Sequence, residues 1–284
     1  MTQHLVEYRM AALCQALGVS RSGYYAWRKR PQRCTALRSA IERCHAQHRG
    51  RVGAPALHAD LAHLGLGVCA RTVGRHMRAM GLRAKFAKTF KRTTDSNHKL
   101  GLSPNVLQRQ FQVDTPNQVW VGDITYIRTG QGWLYLATVT DLFSRAVVGW
   151  QMSTRIDARL VSDVLQGALL SRGEPAYVMV HTDQGSQYAS ADYKAMLKRY
   201  RCIQSMSRRG NCWDNAVAES FFATLKKGVV HGEYFATHRH ARQVIFEYIE
   251  VYYNRIRRHS TNGWLSPAAF ERLHYQSLED STVY

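Results

Sequence analysis

The sequence predicts an α/β chain in two parts: an all-α helix-turn-helix region, then a mixed five-stranded sheet with flanking helices. Three observations carry this. Residues 1–110 hold 20 Lys and Arg against four Asp and Glu, whereas the remainder holds 19 against 16. The basic part contains two copies of a helix, glycine, helix pattern. The second part alternates β-branched apolar runs with helical periodicity. At 284 residues, 45% hydrophobic and 21% charged, the chain is long enough for two cores and too apolar to be disordered. No run of about 18 apolar residues could span a bilayer. Met1 to Met10 carries Glu7 and Arg9 in place of an apolar signal segment, so a cytoplasmic location is expected. The net charge of +19 suits a polyanionic partner.

In chain order, Ala11 to Leu17 reads as a helix stopped by Gly18, and Ser20 as the N-cap of a second helix reaching Trp27. The grammar repeats at His58 to Leu64, with Gly65 and Gly67 as the turn and a helix over Ala70 to Met80. Arg71, Thr72 and Arg75 lie at the N-terminal end of that last helix, where a helix-turn-helix presents side chains to the major groove. Residues 85–112 are polar and basic with little periodicity and read as a linker. Six cysteines, at positions 14, 34, 44, 69, 202 and 212, show no zinc-knuckle spacing, and reduced thiols are expected.

Three strands follow, Val119 to Ile127, Trp133 to Val139 and Ala146 to Gln151, separated by turns at Gly130-Gln131-Gly132 and Asp141 to Arg145. Leu160, Val161, Val164, Leu165, Ala168 and Leu169 recur at helical spacing behind Asp157. Tyr177 to Val180 reads as a buried strand ending at His181-Thr182-Asp183. Ala191 to Tyr200 is helical, Cys202 to Met206 a strand, and Trp213 to Lys227 and His238 to Asn254 are helices. The expected domains are residues 1–84 (helix-turn-helix), 85–112 (linker), 113–275 (catalytic core with its C-terminal helix) and 276–284 (tail).

Three acids sit inside apolar elements. Asp123 interrupts Val119 to Ile124, where a carboxylate is costly unless paired or bound to a cation. Asp183 ends a strand, the position where ligands gather in open α/β sheets. Glu219 lies among Val217, Phe221 and Phe222, with Lys226 seven residues on and on the same helix face. Phosphodiester chemistry needs cations at the attacking and leaving oxygens, and three carboxylates suit a pair of Mg²⁺ ions. Asp141 at a turn and Asp214 near a helix start are read as turn and cap residues, and His181 and Trp120 as packing groups.

The stretches Val121-Gly122-Asp123-Ile124-Thr125-Tyr126-Ile127 and His181-Thr182-Asp183-Gln184-Gly185-Ser186-Gln187-Tyr188 carry a family resemblance. So does Ser207-Arg208-Arg209-Gly210-Asn211-Cys212-Trp213-Asp214-Asn215-Ala216, with Glu219-Ser220-Phe221-Phe222 after it. Together they resemble the catalytic core of orfB-type bacterial insertion-sequence transposases, relatives of retroviral integrases. Asp183 and Glu219 are separated by 35 residues, the spacing in that group's Asp-Asp-35-Glu name. The resemblance extends to the helix-turn-helix half, to Thr93-Thr94-Asp95-Ser96-Asn97-His98 and to the segment from Tyr253-Asn254 to Pro267. Val52, Ala56 and Cys69 depart from the family pattern in the basic half.

The resemblance implies a ribonuclease-H-like core with Asp123, Asp183 and Glu219 as catalytic residues and ligands of two Mg²⁺ or Mn²⁺ ions. It also implies DNA cleavage followed by strand transfer. Arg71, Thr72, Arg75, Lys226, Arg208 and Arg209 are the candidate DNA contacts. The implied partners are terminal inverted repeats, target DNA, further copies of the chain and an upstream orfA product, joined by frameshift in such families. The competing expectation is a non-catalytic DNA-binding regulator derived from a transposase, a role that does not call for the three carboxylates.

Overall fold

A computed structural model describes residues 10–29, 33–85, 101–208 and 212–281. Gly18, at φ +63°, ends α1 (Met10–Ala16), and Ser20 Oγ accepts the Gly23 N–H at 3.0 Å to open α2 (Arg21–Lys29). A further helix, α3 (Arg33–Gln47), follows, unanticipated although Leu37, Ala40, Ile41 and Cys44 have helical spacing. α4 (Ala54–His63) starts four residues earlier than its apolar pattern suggests, because Pro55 is pre-organised for a first turn. α5 (Ala70–Ala79) completes the region. Ile41, Leu57, Leu61, Val73 and Met77 from α3, α4 and α5 share one small buried core.

The second part is built on β1 (Val119–Thr129), β2 (Gly132–Asp141), β3 (Val147–Ser153), β4 (Met179–Thr182) and β5 (Ile203–Met206). Their order across the sheet is β3-β2-β1-β4-β5. β1, β2 and β3 form an antiparallel meander, and β4 and β5 add to β1 in parallel, giving the mixed sheet expected of a ribonuclease-H-like core. α6 (Ala158–Ser171), the short turn α7 (Ser186–Ala189) and α8 (Ala191–Arg199) cover one face, burying Trp120, Leu165, Val180 and Tyr193. Asp157 caps α6, its Oδ1 accepting the Leu160 N–H at 3.0 Å. α6 lies so close to β3 that a Cβ on Gly149 would stand 2.7 Å from Ala168 Cβ. The other face is covered by α9 (Ala216–Leu225) and α10 (His238–Phe246), which bury Ile127, Leu136, Phe221 and Ile245.

Neither long C-terminal helix is a plain α-helix. The Trp213 to Lys227 stretch begins as a 3-10 turn at Cys212–Asn215, continues as α9 and ends in a π-helical segment, Lys226–Val230. α10 likewise runs into a π-helical segment, Glu247–Tyr253. Two further segments carry more structure than their composition suggests. Residues 101–112, linker-like in their polarity, are built into the core: Leu107 is buried, and the Val106 and Leu107 N–H groups donate to Ser205 Oγ at 2.9 and 3.1 Å. Residues 276–281 belong to α11 (Pro267–Ser281), anchored where Arg172 grips Glu271 with two bonds of 2.9 and 3.0 Å. Residues 86–100, including the Thr93 to His98 motif, lie outside the described residues, as does Arg209.

Candidate active site

The parallel register sets the site. Val121 stands opposite His181, so two residues further on Asp123 and Asp183 occupy neighbouring positions at the end of β4. Strand spacing puts their backbones about 5 Å apart. Each carboxylate is oriented by its own backbone: Asp123 Oδ1 accepts the Ile124 N–H at 2.8 Å and Asp183 Oδ1 accepts the Gly185 N–H at 2.9 Å. Gly185 lets these side chains approach closely, since a Cβ would meet Asp183 Oδ1 at 3.0 Å and Gln187 Oε1 at 2.9 Å and shift them. Glu219 is exposed and sits in the first turn of α9, not mid-helix, because the preceding turn is 3-10. An acid is favoured there by the unpaired N–H groups of the helix start.

The electrostatics tie these groups into one cluster. Burial, then the Asp183 carboxylate, then Glu219 push the Asp123 carboxyl well above the usual carboxylate range, while the Ile124 N–H and Lys226 pull against them. Lys226 is 9% exposed, and burial lowers its ammonium to about 8 despite the support of Asp123. Lys226 therefore lies with the carboxylates and not on an outer face. Tyr188, whose role was not legible in the sequence, is buried with its hydroxyl held protonated by burial and by the fields of Asp123 and Asp183.

Among the described residues no three His, Cys, Asp or Glu side chains are gathered closely enough to hold a metal ion. The donor chemistry nevertheless suits a hard divalent cation, since the cluster supplies only carboxylate oxygens. A cation is also what offsets the mutual repulsion at Asp123.

The remaining candidates fall into two groups. Arg71, Thr72 and Arg75 line a shallow cleft on α5 together with Arg78, and the three arginines are exposed. Val73, His76 and Met77 point the other way, into the core. Arg208 is committed to Asp214, donating from Nε at 2.9 Å and from its second terminal nitrogen at 3.0 Å. Asp214 is fully buried, accepts further bonds from Arg109 at 2.8 Å and Asn105 at 2.9 Å, and is held well below the usual carboxylate range, chiefly by Arg208. It is a structural hub, more than a helix cap. Trp120 and His181 are fully buried, with bonds from Trp120 Nε1 to Asp141 at 3.2 Å and between His181 Nδ1 and Ser205 Oγ at 2.8 Å.

Residues 113–212 match the Integrase core domain family, residues 200–267 a second family of the same description, and residues 32–90 the HTH-like domain. Transposase InsF for insertion sequence IS3A of Escherichia coli (strain K12) is 46% identical over 276 residues, covering 95% of this chain and 96% of the relative. The chain belongs to the IS3-family transposases. The Insertion element IS600 uncharacterized 31 kDa protein of Shigella sonnei is 41% identical over 93% of this transposase and 99% of its own length.

Two solved structures are more distant. One is a simian T-cell lymphotropic virus intasome in complex with PP2A regulatory subunit B56 gamma, at 16% identity and TM-score 0.46, covering 81% of the transposase and 74% of that chain. The other is the HTLV-2 integrase catalytic core domain in complex with magnesium, at 16% and 0.43, covering 55% and 97%. The transposase thus joins an HTH-like region to an integrase core, and DNA transposition is the activity of its family. No helix among the described residues is long and apolar enough to cross a membrane.

Proposed function

We propose that this transposase cuts DNA at the ends of its insertion sequence and joins the freed 3′ ends to target DNA, using Asp123, Asp183 and Glu219. One observation carries the reading: Asp123 is partly buried beside Asp183 within the field of Glu219, an arrangement that costs stability unless a cation offsets it. Asp123 and Asp183 would hold Mg²⁺ or Mn²⁺ ions, two per site, and the exposed Glu219 side chain would turn in from α9 to complete the set. When bound, the ions supply positive charge at the attacking and leaving oxygens.

In the first step water attacks phosphorus at the element end, the bond to the 3′ oxygen breaks, and a 3′-OH is left. In the second, that 3′-OH attacks a target phosphodiester and expels the target strand's own 3′ oxygen. Each step moves one proton from nucleophile to leaving oxygen, and no phosphodiester energy is lost in the joining. Lys226 balances the acidic cluster from within and faces a phosphate oxygen. Arg71, Thr72 and Arg75 on α5 read the terminal repeats, and Arg208, steadied by Asp214, and Arg209 supply further DNA contacts.

Residues 1–84 thereby deliver DNA to the core at 113–275. Two ends must be joined together, so the working form is a homo-oligomer on DNA, with an orfA product fused or bound upstream. The decisive assay uses a labelled duplex bearing the terminal repeat, with Mg²⁺ or Mn²⁺. The parent yields cut and joined product, and Asp183→Asn yields neither while binding the repeat as the parent does. Specific binding by the parent with no cutting, alone and as the orfA fusion, would make the protein a regulator.

A further inference from the structure

The reader helix and the carboxylates are joined by direct contacts as well as by the chain between them. α5 is seated on α4 through Val73 and Met77 against Leu57 and Leu61. From α4, Asp60 accepts a 2.5 Å bond from Arg258 Nε and a 2.7 Å bond with His48 Nε2, and His48 Nδ1 bonds to Tyr252 Oη at 3.1 Å. Beside them Arg51 lays its guanidinium 4.7 Å from the centre of the Tyr252 ring, and its Nε donates to the Gly228 carbonyl at 3.3 Å. Gly228 is closely approached, since a Cβ would stand 3.4 Å from the Arg51 stem and 3.3 Å from the Tyr248 ring. Gly228 lies two residues beyond Lys226, which is buried beside Asp123. The basic region thus grips the π-helical segment that ends the helix bearing Glu219.

We propose that this docking is a ruler: it fixes the distance between the bases read by α5 and the phosphodiester cut at the carboxylates, with Arg51 as its positioning residue. The inference rests on the cleavage reading above. A contact that only stabilised the fold would affect how much DNA is cut. A ruler decides where it is cut. Because the contacts are polar and directional, they hold one arrangement, whereas a covalent connector alone would allow a spread of distances.

The test maps cut positions at nucleotide resolution on a labelled duplex carrying the terminal repeat, for the full chain in its cutting-competent form. The parent cuts at one position. Arg51→Ala and Asp60→Asn bind the repeat with unchanged affinity and spread the cuts over neighbouring nucleotides, and Arg51→Lys, which keeps a donor for Gly228, restores the single position. Inserting a short Gly-Ser stretch within residues 86–100 leaves the position unchanged, since the docking and not the connector sets it.

Variants that cut only at the parental position, at whatever rate, overturn the ruler, as does an insertion that moves the cut. Should Arg51→Ala not cut, hydroxyl-radical footprints on the Asp183→Asn background read the register without chemistry. Loss of protection at the end nucleotides with the repeat still protected supports the ruler, and both protected overturns it. Failure of the parent itself to cut is a failure of the cleavage reading, seen before any variant is compared.

Discussion

Asp123 is a residue at which function costs stability. Its carboxyl is shifted upward by burial and by two like charges, so keeping it ionised without a divalent ion costs the folded chain stability. Asn keeps an acceptor for the Ile124 N–H and removes that charge. Asp123→Asn is therefore expected to abolish cutting yet raise Tm in EDTA, by about 2–4 °C if about 1 kcal/mol is relieved. Adding Mg²⁺ should raise the Tm of the parent and not that of the variant. His259 gives the complementary acid prediction. Burial, Arg257 and Arg145 depress its imidazole to about 2, so below the ordinary histidine range the unfolded chain takes up a proton that the folded chain refuses. Stability should fall as pH drops from about 6.5 towards 4, with up to about 1.4 kcal/mol per pH unit from this one group. His259→Gln should flatten that slope in thermal melts. Single residues were legible where chemistry made them odd: a lone acid in a β-branched run marks Asp123 and a strand-end acid marks Asp183. Tyr188 and the burial of Lys226 were not, because an aromatic or a lysine in a helix looks the same whether it faces solvent or a carboxylate.

Among the elements, β3 and α6 depend on one close approach. Ala at position 149 would place a methyl 2.7 Å from Ala168 Cβ and 2.8 Å from the Val164 carbonyl, so the helix must lift. Gly149→Ala is expected to cost about 1–3 kcal/mol, seen as a lower midpoint in urea with little change in slope. The regular elements follow from local rules. Asp157 caps α6 as its position promises, and the meander β1 to β3 follows its turn residues. What the local rules miss are the irregular ends. Nothing in Lys226 to Val230 distinguishes a π-helical turn from the α-helix that precedes it, although Arg51 and Tyr248 pack against its Gly228. Residues 101–112 escaped because Leu102, Val106, Leu107 and Phe111 show no period, yet Leu107 and Phe111 are enough to seat a loop on the sheet while Leu102 and Val106 stay exposed.

At the scale of the whole molecule, the basic face of α5 and the acidic cluster occupy separate regions, and the proposed division of labour between them can be measured. Arg75→Ala should weaken repeat binding by about tenfold at moderate salt, as expected for one lost base or phosphate contact. The same variant should cut a saturating concentration of repeat DNA at the parental rate. Equal loss of binding and of cutting at saturation would mean that the two regions act as one. The division into two regions was legible from charge alone, since the excess is confined to the first 110 residues. Their mode of docking was not, because Asp60 and Arg258 lie 198 positions apart and neither is unusual where it stands. The placement of the acids along the chain has a further effect. Asp123, Asp183 and Glu219 belong to β1, the end of β4 and α9, and all follow the basic helices. A polypeptide interrupted during translation between Ala79 and Glu219 retains the proposed DNA-binding surface and lacks the complete acid set. Under the proposed function, such early termination leaves a competitor of the intact protein rather than a stray nuclease loose among the host's chromosomes.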